Sequence, residues 1–206
     1  TMSAWYKPTN GKNGEQRFLG VTGIWSTSLI SVVAQNTGQV TFSYRSDSDS
    51  GLAGTINSAS ELVFQDGQSE WRHILVTADS TTDGPGGLQI YVDGVRKTLG
   101  NSVGDGSSGS TAGIDFSVFG QASSTVFQAM ALNGDYLASG SIRDCSIWST
   151  KLTQSQITDV FLGNPPSTDQ ELWWKLDDNN ATVQDSTSNN RDGTVNNSTW
   201  GHSEYN

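Results

Sequence analysis

The sequence predicts an all-β fold, two antiparallel sheets stacked as a sandwich, with one short helix near 153–163. Three observations carry this. Apolar and polar residues alternate in short runs. In Q-V-T-F-S-Y-R (39–45), Val40, Phe42 and Tyr44 share one face, and Gln39, Thr41, Ser43 and Arg45 share the other, which reads as a strand with one wet side. Turn-forming clusters separate the runs: N-G-K-N-G (10–14), S-D-S-D-S-G (46–51), D-G-P-G-G (83–87) and the long G-N-S-V-G-D-G-S-S-G-S-T-A-G (100–113). Finally, 16 of the 21 acidic residues are Asp and only 5 are Glu, a balance that suits turns more than helix surfaces.

Taken in order, strands are expected at 3–7, 17–21, 28–35, 39–45 and 61–64. Residues 71–78 follow, with Ile74 and Val76 on one face and Trp71, His73 and Leu75 on the other. In 88–92, Leu88, Ile90 and Val92 oppose Gln89 and Tyr91, and Asp93-Gly94 then supplies a two-residue hairpin turn. Further strands are expected at 115–119, 140–148 and 171–176. The helix announces itself at Thr153, which opens the capping-box pattern T-Q-S-Q with Gln156 three residues on. Ile157, Val160 and Phe161 give it one apolar face, and Gly163 with Asn164-Pro165-Pro166 stops it.

A chain of 206 residues suits one domain large enough to bury a core without disulfides, and the single Cys145 allows none inside the chain. Cys145 sits in the apolar run S-I-R-D-C-S-I-W and reads as a buried small hydrophobe. The net charge of −10, with 11 scattered basic residues, argues against nucleic acid as a partner. No apolar run has the length of a membrane span, so no membrane insertion is expected.

The motifs A-W-Y-K-P (4–8), W-R-H-I-L-V-T-A-D (71–79), L-Q-I-Y-V-D-G (88–94) and G-S-I-R-D-C-S-I-W-S-T-K-L-T-Q-S-Q-I (140–157) occur in an order that resembles the laminin-G-like, concanavalin A-like family of lectins and glucanases. The resemblance covers residues 4–163 and implies a jelly-roll β-sandwich. Arg143 stands where that family commonly has Asp, and Cys145 where it commonly has Val. The segment 171–194 resembles the part that usually opens such a domain, yet here it comes last. Residues 171–206 are therefore expected to complete a single domain, 1–206, in permuted order. Two alternatives stay open: a truncated second repeat, or a tail that docks on a neighbouring chain and makes a homo-oligomer.

Catalytic signals are thin. Glucanases of the resembled fold place Glu and Asp two apart on one strand, but no Glu here has an acid two positions later. The alginate-lyase pattern Gln-Ile-His is met only by Q-I-Y at 89–91. Of the two histidines, His73 reads as a packed strand residue and His202 lies near the end. No catalytic residue is assigned. For carbohydrate, an aromatic platform with planar polar groups at a loop rim is the required chemistry. Trp25, in T-G-I-W-S-T-S, and Tyr136, flanked by Asn133 and Asp135, are the candidates. For a calcium ion, oxygen donors from loops are required, and Asp47 with Asp49 and Asp185 with Asp192 are the candidate ligands; Asx turns explain the same residues. Trp5, Trp71 and Trp148 are assigned to the fold, and alternation sends one of Trp173 and Trp174 inward and the other outward.

These readings favour a non-catalytic recognition module for a glycan or cell-surface partner, placed extracellularly, on a cell surface or on a virion. Two other readings stand beside it: a structural virion protein built from the sandwich, and a polysaccharide-active enzyme.

Overall fold

The structure, a computed structural model, describes residues 1–10, 16–22, 29–46, 52–57, 61–79, 87–99, 126–130, 138–196 and 200. Two antiparallel sheets dominate it. In chain order the strands are β1 (Met2–Pro8), β2 (Gln16–Thr22), β3 (Leu29–Ala34), β4 (Val40–Ser46), β5 (Leu52–Asn57), β6 (Arg72–Ala78), β7 (Leu88–Val92), β8 (Val95–Arg96), β9 (Val126–Ala129) and β10 (Gly140–Trp148). Helix α1 (Gln154–Phe161) follows, then β11 (Gln170–Trp174), β12 (Thr182–Val183) and β13 (Gly193–Thr194). One sheet has the order β11-β10-β1-β6-β7-β8, the other β5-β4-β3-β2-β9, and β12 with β13 forms a small ribbon.

The alternation read from the sequence produces the core. Ala4 and Tyr6 of β1, Ile74 and Val76 of β6, and Ile90 and Val92 of β7 face Phe18, Val32, Val40 and Phe42 of the other sheet, all buried. The Tyr6 and Phe18 rings stack with centroids 4.5 Å apart, and Phe127 meets Trp174 at 5.1 Å, so aromatic pairs join the sheets at both places. Cys145 is fully buried in this core.

A second cluster lies on the other face of the six-stranded sheet. There α1 lays Ile157 and Val160 against Leu75, Tyr91 and Trp148. The cap is as the sequence predicts: the Gln156 amide donates to Thr153 Oγ1 at 3.4 Å and the Thr153 amide to Gln156 Oε1 at 2.9 Å. The Asp93-Gly94 turn also forms, with φ of 52° and 77°, both in the left-handed region that a tight hairpin needs. Its tip receives Phe161 of α1, whose ring atoms are the nearest neighbours of Gly94.

Two expectations need correction. Residues 61–64 are not a strand. The amides of Val63 and Phe64 both donate to the Gly38 carbonyl, which bends the chain while both side chains reach the core. The face of 39–45 expected to be wet is covered at Thr41, which is wholly buried, as are Ser31 and Val33 on the neighbouring β3. Alternation separates the two faces of a strand but does not show that the second face is covered. The expected strand at 115–119 lies outside the described residues.

The last third of the chain joins the first sheet. β11 pairs with β10, Cys145 opposite Trp174 and Ser146 opposite Trp173. Trp174 points into the core and Trp173 away from it. Residues 185–191 then line the outer edge of β11. Asn189 Nδ2 donates to the Gln170 and Glu171 carbonyls at 3.2 and 3.1 Å, and the Ser186 amide donates to the Trp173 carbonyl at 2.9 Å.

Candidate functional site

Strand register decides which connections meet. Thr22 of β2 lies opposite Leu29 of β3, Leu29 lies opposite Arg45 of β4, and Ser46 lies opposite Leu52 of β5. The β2–β3 and β4–β5 hairpins therefore turn at one end of the five-stranded sheet, about 10 Å apart at a spacing of roughly 4.8 Å per strand. β9 starts at this end too, with Val126 opposite Thr22. In sequence, the first connection carries Trp25 and the second Asp47 and Asp49. Those three residues lie outside the described residues, but the strands that carry them bring their connections to one rim.

Asn133, Asp135 and Tyr136 also lie outside the described residues, and their connection belongs to the opposite end. It leaves from Met130, whose amide donates to the Phe18 carbonyl at 2.9 Å, and returns at Ala138, whose amide donates to the Met130 carbonyl at 2.9 Å. Phe18 and Thr22 are four residues apart on β2, roughly 13 Å along the strand. Among the described residues, Thr22, Leu29, Ser46 and Leu52 thus lie at one end of the sheet, and Met130 with Phe18 toward the other.

Asp185 and Asp192 do come together, in a structural arrangement. The Asp185 amide donates to Asp192 Oδ1 at 2.9 Å. Asp185 Oδ1 accepts from the amides of Trp173 and Thr187, both at 3.0 Å. Its Oδ2 accepts from Thr187 Oγ1 at 2.8 Å and the Arg191 amide at 3.0 Å. Burial pushes this carboxyl up, but the bonds from Trp173, Arg191 and Thr187 outweigh burial and hold it below the usual carboxylate range. Four protein donors occupy both oxygens, so Asp185 does not fit a cation ligand; it pins the chain to β11. Among the described residues, no group of three or more His, Cys, Asp or Glu side chains is placed to hold a metal.

The outer face of the six-stranded sheet carries a cluster that sequence reading did not single out. At β10 the register slips against β1, with Ser3 opposite Ser146 but Trp5 opposite Arg143, so Asp144 is an extra residue held at φ 51°. Its amide donates to the Lys175 carbonyl at 3.1 Å. The Arg143 guanidinium lies over Trp71 at 4.6 Å and Trp5 at 5.2 Å, and the Lys175 ammonium lies over Trp173 at 4.7 Å. Asp144 bonds the Trp173 side chain; burial pushes its carboxyl above the usual range and Asp177 adds to that, while Arg143, the Trp173 bond and Lys175 oppose it. Asp144, Arg143, Lys175, Trp5, Trp71 and Trp173 are all half-buried. The one signal in the sequence was Arg143-Asp144 where the resembled family has Asp.

Beside this cluster, His73 is packed as expected, 1% exposed, with its ring 5.3 Å from Trp5 and 5.8 Å from Phe161. Its Nδ1 finds no hydrogen-bond partner among the described residues. Burial lowers its pKa to about 4, with nearby Asp93 partly opposing. A neutral imidazole between two rings is a poor proton shuttle and a good spacer.

A two-sheet antiparallel sandwich with one short helix defines the class. The chain belongs to the concanavalin A-like lectin/glucanases superfamily, whose laminin-G-type family model matches residues 1–158. None of the curated proteins compared matches it. Among solved structures, it is similar to a Bacteroides ovatus protein provisionally assigned as carbohydrate-binding, with TM-score 0.56 and 14% identity over 94% of this chain and 51% of that one. The chain thus spans about half of that protein. It is also similar to the CBM40 of the Ruminococcus gnavus IT-sialidase, with TM-score 0.50 and 14% identity over 78% of this chain and 80% of that one. The same CBM40 bound to alpha2,6 sialyllactose gives TM-score 0.50 and 14% identity, over 78% and 81%. At these identities the likeness concerns the fold. Among the described residues, no helix is long and apolar enough to cross a membrane.

Proposed function

We propose that this chain is a non-catalytic carbohydrate-recognition module acting outside the cell or on a cell or virion surface. The observation that carries this is the register that turns the β2–β3 and β4–β5 hairpins at one end of the five-stranded sheet. The strand ends that flank these two connections lie about two strand spacings, or 10 Å, apart, and in sequence the connections bear an indole, Trp25, and two carboxylates, Asp47 and Asp49. A pyranose has an apolar face for an indole and hydroxyl edges for carboxylates, so this pairing suits it. Membership of a superfamily of lectins and glucanases, and the sialyllactose held by the R. gnavus module, support the same reading.

The reading includes a calcium ion at Asp47 and Asp49, on the sequence ground already given. EDTA is then expected to weaken glycan binding and added calcium to restore it; binding indifferent to EDTA removes the ion. A glycan array followed by titration tests the whole. Saturable binding that is lost in Trp25→Ala and in an Asp47→Asn, Asp49→Asn double variant, with melting temperature unchanged, supports it. A blank array, or an array on which every bound glycan is still bound by both variants, refutes the rim as the site.

A further inference from the structure

We propose that the outer face of the six-stranded sheet holds a second saccharide site, centred on the Asp144 bulge and shaped for a neutral pyranose chain. The ligand class rests on the carbohydrate reading above, but the location does not.

The parts are those that hydroxyl-rich ligands need. Asp144 supplies acceptor oxygens, and Arg143 and Lys175 supply donors on either side of it. Each cation is stacked on indoles, Arg143 on Trp71 and Trp5 and Lys175 on Trp173, which limits its rotamers before any ligand arrives. The aromatic groups stand on either side of the bulge. Trp173 on β11 and Trp5 on β1 are separated by β10, about 10 Å across two strand spacings, and Trp71 lies further on, at the start of β6. That span suits two or three linked sugars. α1 covers the neighbouring part of this face, over Leu75, Tyr91 and Trp148, and its Phe161 stacks on Trp5 with centroids 5.6 Å apart, so Trp71 and Trp173 are the rings of the cluster that stand furthest from the helix; all six residues are half-buried.

The local charge selects the ligand class. Asp144 and Asp177 balance Arg143 and Lys175, so the patch has no net charge to attract a carboxylated or sulfated sugar. Asp144 sits at φ 51°, and bulges of this kind re-aim a side chain out of the pleat.

The test is calorimetric titration of the full chain with cellohexaose, mannohexaose, laminarihexaose and sialyllactose. Asp144→Asn is the informative variant, because Asn tolerates the same positive φ and keeps the shape while losing the charge. Lys175→Gln is the second. We expect at least one neutral hexasaccharide to bind, and each variant to weaken it by about tenfold or more, the scale of a lost charge-assisted hydrogen bond. The melting temperature should stay within about 3 °C of the parent, because neither change removes a core contact. The Asp47→Asn, Asp49→Asn rim variant should leave this binding intact. No binding of a neutral hexasaccharide, binding of sialyllactose alone, or equal binding by Asp144→Asn overturns the proposal. Loss of hexasaccharide binding in the rim variant only would sink this site; loss in Asp144→Asn only supports it, and the rim stands or falls by the glycans that its own variants lose on the array.

Discussion

Replacing His73 by Leu should flatten the acid limb of the stability curve. The imidazole is 1% exposed between Trp5 and Phe161, and burial lowers its pKa from 6.5 to about 4. Between those values the unfolded chain holds a proton that the folded chain refuses. Above pH 6.5 both states are neutral at this site and nothing is lost. As pH falls below 6.5 the unfolded state gains protons first and stability drops, levelling only below the folded value. From pH 7.5 to 4.5 the linkage integral for a shift of this size is about 2.5 kcal/mol. Carboxylates titrate over the same range in parent and variant alike, so the quantity to read is the difference between the two proteins. Urea unfolding at pH 7.5, 6.0, 5.0 and 4.5 measures it. His73→Leu also loses a ring contact on each side, which offsets the two curves by an amount that does not vary with pH. A parent-minus-variant difference that stays constant within about 0.5 kcal/mol from pH 7.5 to 4.5 would show that His73 accepts its proton in place. The reasoning from burial would then fail.

Two further perturbations probe the end of the chain. Asp185→Ala strips four hydrogen bonds and leaves the Trp173 amide without its partner, so urea unfolding at pH 7 should show a loss of about 2–4 kcal/mol, and a loss under about 1 would refute the pinning role. Because this carboxyl is held below its usual range, its contribution is present above that range and fades as pH falls through the lowered value, so parent and Asp185→Ala should converge in acid. Gly193→Ala would place a methyl group 2.7 Å from the Trp174 ring; a loss of about 1–3 kcal/mol is expected in the same assay, and an unchanged midpoint would mean that the ribbon is not seated on that ring.

What the sequence disclosed followed from local chemistry. The Thr153 capping box, the Asp93-Gly94 turn and the opposed faces of 71–78 are set by neighbours within a few residues, and all three formed. β5 escaped notice because Ala53 and Gly54 interrupt its apolar run; it exists because β4 offers it a ladder. Residues 61–64 misled in the other direction, since Leu62, Val63 and Phe64 look like a strand until the Gly38 carbonyl claims two of their amides. Candidate sites were legible as residue types and not as groupings. Which strand ends share an end of the sheet is a property of strand order, and no local pattern around Trp25, Asp47 or Tyr136 carries it. The Asp144 cluster depends on a slip in register between β1 and β10, which no local pattern announces.

The seam along β11 has a consequence for how such modules behave in company. The outward amide of Trp173 is held by the Asp185 carboxylate and its carbonyl by the Ser186 amide, so this border offers no open ladder to a stranger. At the far border β8 is only two residues long, too short to recruit a strand. Among the described residues, the larger sheet thus closes its own margins, and a foreign strand finds little ladder there to extend.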